Sequence, residues 1–332
     1  MLIPEKTDCR ERNQKRFRKM DDIKIDVNEI RNGYDRQACW VQTRAGVLPP
    51  LGKAVITTQK LRLTGSDIFY GIHSTVSTDM GKTWSDPVAQ DAFRAREQED
   101  DFYLYVSDFC PQWHEKTRTL LGTGHTPRYQ NDELTRCDYH RTPAYAVFDP
   151  DSDQWLPWRY LELPDDVPFF TFSGAGCTQR WDLPGGDVLL PIYGRDPSSG
   201  TDVFRGMGQV AVLRCGFDGE SLTYKAHGNF MSVAEPRGLC EPSLTSGNGR
   251  FYLTLRNDVK GYLAVSDDGL NYGEPIPWRF ENGEEIGNYN TQQHWLKLND
   301  KLFLVYTRRG LSNDHVFRHR APLVLAEFDE EN

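Results

Sequence analysis

Arginines recur at comparable places along this sequence. Arg44 lies in Thr43-Arg44-Ala45-Gly46-Val47-Leu48-Pro49, Arg256 ends Leu253-Thr254-Leu255-Arg256, and Arg308 and Arg309 follow Tyr306-Thr307. Phe317-Arg318-His319-Arg320 offers a further one at Arg320. A planar guanidinium grips a carboxylate through two parallel hydrogen bonds and keeps its charge at any relevant pH. Three of them converging on one point would bind an acidic ligand, whereas each alone is an ordinary solvated surface residue. A second set of groups can move protons. Gly287-Asn288-Tyr289-Asn290-Thr291-Gln292-Gln293-His294-Trp295 is dense in polar and aromatic side chains. Tyr289 there can act as acid or nucleophile if Glu241 takes its proton, and His294 as a general base near neutral pH. Gln292, His294 and Trp295 would equally make a hydrogen-bonded strand core. His125, in Leu121-Gly122-Thr123-Gly124-His125-Thr126, occupies the equivalent place earlier in the chain, as Arg195 does after Leu189-Leu190-Pro191-Ile192-Tyr193-Gly194.

The elements that must carry these groups are short strands. From Ala38 onward, apolar or alternating runs such as KAVITTQ, AYAVFD, QVAVLRC, FYLTLR and KLFLVYTRR are separated by Gly, Pro, Asp and Asn, with almost no helical periodicity. The runs repeat in five units, at about 38–91, 92–165, 168–230, 234–279 and 285–332. Repeats of this length with about four strands each predict an all-β fold, a β-propeller, within a single domain over 38–332. Residues 1–37 read as an N-terminal arm whose last part, 23–37, supplies a strand that closes the ring.

One motif is sharper than the rest. Ser77-Thr78-Asp79-Met80-Gly81-Lys82-Thr83-Trp84 fits the pattern SxDxGxTW, and Ser266-Asp267-Asp268-Gly269-Leu270-Asn271-Tyr272 is a degenerate copy. In such a turn the Asp accepts backbone N–H groups, the Gly takes a positive φ and the aromatic residue anchors the strand. The motif is the Asp-box, or BNR repeat, and over residues 38–332 the chain resembles the sialidase (neuraminidase) superfamily, whose propellers have six blades and an axial pocket. The resemblance implies that Arg44, Arg256 and one of Arg308, Arg309 and Arg320 bind the sugar carboxylate. It also implies that Asp67 is the acid and that Glu241, in Cys240-Glu241-Pro242-Ser243, partners a nucleophilic tyrosine. The family's tyrosine follows the third arginine. Here no Tyr lies beyond Tyr306, which leaves Tyr289 for that role.

Bulk properties narrow the partners. A net charge of -9 argues against nucleic acid, and no apolar run is long enough to span a membrane. Seven cysteines without CxxC spacing suggest neither a disulfide frame nor a metal site, and no cofactor is expected. With no apolar leader in the N-terminal residues, they point to a cytoplasmic protein. The expected activity is that of an exo-sialidase-like glycoside hydrolase on an acidic carbohydrate. Two alternatives stay open: a polysaccharide lyase on uronic-acid glycans using His125, Tyr289 or His294, and a non-catalytic carbohydrate-binding propeller.

Overall fold

A computed structural model describes residues 23–65, 67–135, 141–195, 207–299, 301–316 and 320–331. Residues 33–332 make one compact unit. Its strands pair into antiparallel sheets, and five of these are blades that follow the five repeats of the sequence.

Blade one runs Ala38–Leu48, Lys53–Arg62, Phe69–Ser77 and Val88–Ala89. Blade two runs Ser107–His114, Thr119–His125, Pro143–Asp149 and Gln154–Trp155. In blade three the first strand is interrupted, so that Ser173–Gly174 and Trp181–Asp182 both pair with Val188–Gly194, which leads to Gln209–Phe217 and Leu222–His227. Blade four runs Cys240–Gly247, Arg250–Arg256, Tyr262–Ser266 and Ile276–Pro277, and blade five His294–Leu298, Lys301–Tyr306 and Val324–Glu327. A small sixth sheet of Arg96–Glu97, Phe102–Leu104, Arg128–Gln130 and Glu133–Leu134 is built from the link between blades one and two and a loop of blade two. No sixth blade forms among the described residues.

Successive blades are glued by apolar side chains alternating out of each sheet. Leu48, Val55 and Ile72 of blade one meet Phe109, Leu120 and Phe148 of blade two. Leu121 and Tyr145 meet Val188 and Leu190. Val210 and Val212 meet Leu244 and Leu253, and Tyr252 meets Trp295 and Leu304. Each such side chain, fully buried, stabilises by about 1.5–3 kcal/mol.

The two SxDxG-type turns share one geometry. Asp79 Oδ1 accepts the N–H groups of Lys82 (3.0 Å) and Thr83 (2.9 Å), and Gly81 donates to Ser77 Oγ (2.8 Å). In the second turn, one residue shorter, Asp268 Oδ1 accepts from Leu270 (2.8 Å) and Asn271 (2.7 Å), and Gly269 donates to Ser266 Oγ (2.9 Å).

The expected closing strand is a correction. Residues 23–37 form no strand, although Ile23, Ile25 and Val27 alternate with polar residues. Ile25 and Val27 are exposed. Alternation marks a strand only where a neighbouring ladder and a buried face exist to use it.

A recurrent defect positions the centre of the molecule. The ladder between the first two strands slips at Val41/Arg44, Ser107/Cys110 and Cys240/Ser243 in blades one, two and four. The residue at each slip, Gln42, Asp108 or Glu241, has a left-handed φ of 54°, 54° or 44°. Cys177 (58°) takes this conformation in the interruption of blade three, and Asn290 (49°) just ahead of blade five. None is glycine, and left-handed backbone costs a residue with a Cβ roughly 1–2 kcal/mol. Bulges of this kind redirect a side chain out of the alternating pattern of its strand.

Candidate functional site

Three of the redirected side chains, those of Gln42, Asp108 and Glu241, meet at a cavity of about 430 Å³. Gln42, Asp108, Glu241 and Gln292 bring blades one, two, four and five to its wall, and Gly194 and Arg195 bring blade three. The small extra sheet adds an apolar side with Tyr129 and Leu134, next to Phe69. Tyr129 donates its hydroxyl to the carbonyl of Asp67 (2.9 Å), fixing the turn that carries Asp67 into the same wall.

Two blades place an acid and a base in the same way. Ser107 pairs with His125 in the ladder of blade two, and Cys240 with Arg256 in that of blade four. The next residue along each first strand is the bulge, so Asp108 faces His125 and Glu241 faces Arg256. His125 Nε2 lies 3.1 Å from Asp108 Oδ2, and its Nδ1 lies 3.4 Å from the hydroxyl of Tyr193 in blade three. Burial alone would raise the Asp108 pKa, but His125, the Cys177 thiol and Arg44 outweigh it and hold the carboxyl below its usual range. Burial pushes the Tyr193 phenol well above its ordinary value; Arg141 opposes this, while Glu241 and Asp108 add to it. The chain Asp108–His125–Tyr193 therefore joins an ionised carboxylate, an imidazole and a neutral phenol.

In blade four, Arg256 Nη1 donates to both oxygens of Glu241 (2.6 Å each), and Nη2 donates to Asn290 Oδ1 (2.9 Å). The two side chains are 4% and 12% exposed. Burial works against the Arg256 charge, yet Glu241 more than compensates and its pKa is raised. Asp258 continues the alternation, 3.6 Å from Arg256 and accepting from Arg237 at 3.1 Å. On the other side, Arg141 and Arg195 both lie over the ring of Phe172, at 4.4 Å and 5.4 Å from its centroid. Arg141 also donates to the carbonyl of Tyr193 (3.3 Å) and makes no ion pair with a described residue.

The structure sorts the residues expected from sequence. Asp67, His125, Glu241, Arg256, Gln292 and Arg320 all line the cavity. Five others do not, and these are corrections. Arg44 sits behind the wall, its Nη2 donating to the Gln292 side-chain carbonyl and to Cys177 Sγ (3.4 Å) and its Nη1 to the carbonyl of Thr43 (2.9 Å), so both ends of its fork are held by protein. Tyr289 is buried off the cavity under the guanidinium of Arg309, whose Cζ is 3.9 Å from the ring centroid; both oxygens of Glu241, its expected partner, are held by Arg256. Arg308 lies over Phe280 (5.0 Å), so neither Arg308 nor Arg309 faces the cavity. His294 bonds Ser243 Oγ through Nδ1 (3.0 Å), and burial with Arg44 nearby pushes its pKa down to about 3, which removes it as a base near neutral pH.

Asp108, Tyr193, Arg141, Arg237 and Asp258 were not expected. The register explains Asp108: it stands one residue beyond the ladder partner of His125, as Glu241 stands one beyond that of Arg256, a relation that only the folded ladders reveal.

Comparison with known proteins places the fold. No family model and no curated protein sequence matches the chain. Among solved structures it is similar to a Hadza microbial sialidase (TM-score 0.56, 14% identity, over 81% of this chain and 53% of that one). It is similar to Trypanosoma rangeli sialidase (0.53, 13%, 81% and 43%) and to a GH43 β-1,3-galactosidase determined with galactodeoxynojirimycin (0.52, 12%, 88% and 92%). The chain thus spans about half the length of the two sialidases. It has the propeller fold on which these glycoside hydrolases are built.

Proposed function

We propose that the protein is a glycoside hydrolase of the sialidase type, acting on an acidic sugar held in the axial cavity. One observation carries the reading: the Asp108–His125–Tyr193 chain opens into a cavity walled by Arg141, Arg195, Arg237, Arg256 and Arg320. A carboxylate beside the anomeric carbon repels an anionic nucleophile, so a phenol that loses its proton only during attack suits such a substrate. Asp108 holds Nε2–H of His125 and leaves Nδ1 to accept the Tyr193 proton, the arrangement by which an acid orients a base toward a nucleophile. Tyr193 Oη then bonds to the anomeric carbon while the leaving oxygen takes a proton from Asp67. In a second step water attacks the anomeric carbon and gives a proton to Asp67, the Tyr193 oxygen leaves and takes its proton back from His125, and the sugar is released with retained configuration. Arg141 and Arg195 receive the sugar carboxylate, and Glu241 keeps Arg256 in place. The fold likeness to sialidases and the two Asp-box-like turns support the assignment.

The contact between His125 and Tyr193 also favours a second reading, a lyase on uronic-acid glycans. There the arginines neutralise the carboxylate, His125 removes the neighbouring C–H proton and Tyr193 protonates the leaving oxygen. Release of the fluorophore from a 4-methylumbelliferyl sialoside, abolished in Tyr193→Phe, supports the hydrolase. Ultraviolet absorbance of an unsaturated uronide, appearing with glucuronate-rich polymers, replaces it by the lyase. Neither signal, with acidic-sugar binding retained, leaves a binding propeller.

A further inference from the structure

Phe69 and Tyr70 are neighbours on the third strand of blade one and face different cavities. Phe69 is buried in the wall of the axial cavity, while Tyr70, 38% exposed, lines a second cavity of about 640 Å³. The turn between the second and third strands is thus a partition, with Asp67 on the axial side and Leu63 and Thr64 on the other.

The second cavity combines flat rings with cations. Lys60 Nζ lies 5.1 Å from the centroid of Trp40, and Arg62 Cζ 5.5 Å from that of Tyr70. His73 packs edge-on against Trp40 at 5.0 Å. The acid among its described lining residues, Asp35, accepts the backbone N–H groups of Gln37 (2.9 Å) and Ala38 (2.6 Å), which keep it ionised within electrostatic reach of Lys60. Arg62 is paired with Asp132, whereas Arg36 and Lys60, both on the wall, form no ion pair with a described residue. Arg36 is held in left-handed backbone (φ 71°) beside Asp35. Arg36, Lys60 and Arg62 set against Asp35 and Asp132 leave an excess of positive charge, which favours an anion, and an exposed aromatic face selects a ligand with a flat apolar side. A sugar ring bearing a carboxylate or sulfate has both.

We propose that this cavity is a second saccharide site, which binds an acidic sugar residue through Lys60 and Arg36 with its ring against Tyr70. It does not rest on the reaction assigned to the axial cavity. The test is calorimetric and saturation-transfer titration of the full chain with D-glucuronate and N-acetylneuraminate, with glucose and inorganic sulfate as controls. Two binding events are expected for the acidic sugars and none for glucose. Lys60→Ala, Arg36→Ala and Tyr70→Ala should each weaken one event about tenfold, and Lys60→Arg should restore it. Arg141→Ala should weaken only the other event, and loss of that event's dependence on Arg141 would count against the axial reading alone. Unchanged binding in the Lys60 and Tyr70 variants, with melting temperatures kept, overturns the second site. So does sulfate binding there as tightly as the sugars, since that marks a bare anion site.

Discussion

The hydroxyl of Tyr193 lies 3.4 Å from Nδ1 of His125, on the neighbouring blade, and the opposite ring nitrogen of that histidine is 3.1 Å from Asp108. The imidazole therefore bridges two blades and has one face for each proton partner. Removing only the phenolic oxygen is the direct test. Tyr193→Phe is expected to lower turnover by about 10³ while costing about 1 kcal/mol of stability, as for one buried hydrogen bond. Single-turnover kinetics and a urea titration measure the two effects separately.

Asp108→Asn keeps the shape of the site but presents an amide to Nε2. The imidazole can then settle in the other tautomer, with Nδ1 protonated and unable to accept from Tyr193. Turnover should fall by about 10³ to 10⁴ with KM nearly unchanged. A large rise in KM instead would make Asp108 a substrate-binding group.

Glu241 and Arg256 are a buried pair, so each is costly without the other. Glu241→Gln and Arg256→Met should each destabilise the fold by about 3–5 kcal/mol. The double variant should lose less than either single one, because no unpaired charge remains inside. A double-mutant cycle read by denaturant midpoints checks this, and strict additivity would contradict it.

His294 gives a pH dependence of defined sign. Its pKa is about 3 in the fold against 6.5 for the free side chain, so between these values the unfolded chain binds a proton that the folded one does not. Its contribution is complete above about pH 6.5 and declines as the pH falls toward about 3. His294→Gln should show a shallower loss of stability across that window in urea midpoints taken from pH 4 to 7.

Asp79 and Asp268 act lower on the scale. Both carboxyls are held at about 2 against 3.8, Asp79 chiefly by Thr83, and Asp268 by Asn271, Leu270 and Ser266 against the cost of its burial. Their stabilisation is present above pH 3.8 and disappears as the pH falls through about 2. The difference in melting temperature between the protein and Asp79→Asn should be constant above pH 4 and close as the pH approaches 2.

The repeats were legible because blade strands are short, apolar and punctuated by turn residues, and all five units correspond to sheets. Cavity residues at strand ends, such as His125 and Arg256, were legible too, since a polar group closing an apolar run has few places to go. Asp108 was not, because in Ser107-Asp108-Phe109-Cys110 nothing in the alternation marks a left-handed residue. Tyr193 was hidden as one more ring in an apolar strand. Arg44 misled for the opposite reason. Its place two residues past the bulge at Gln42 sends it behind the wall, where Gln292 and Cys177 hold its Nη2 and the Thr43 carbonyl its Nη1.

The five left-handed residues, Gln42, Asp108, Cys177, Glu241 and Asn290, have a bearing on how such a centre changes over time. Gln42, Asp108 and Glu241 sit where the ladder of their own blade slips and turn to the axial cavity, while Cys177 and Asn290, behind it, brace Arg44, Gln292 and Arg256. A change at one bulge leaves the apolar packing between blades in place, and its cost is set by the polar partner lost at the hub, as Arg256 would be for Glu241. The chemistry of the hub is therefore set by polar pairs that reach from spoke to spoke, and it can change by pairs while the architecture of the blades stays the same.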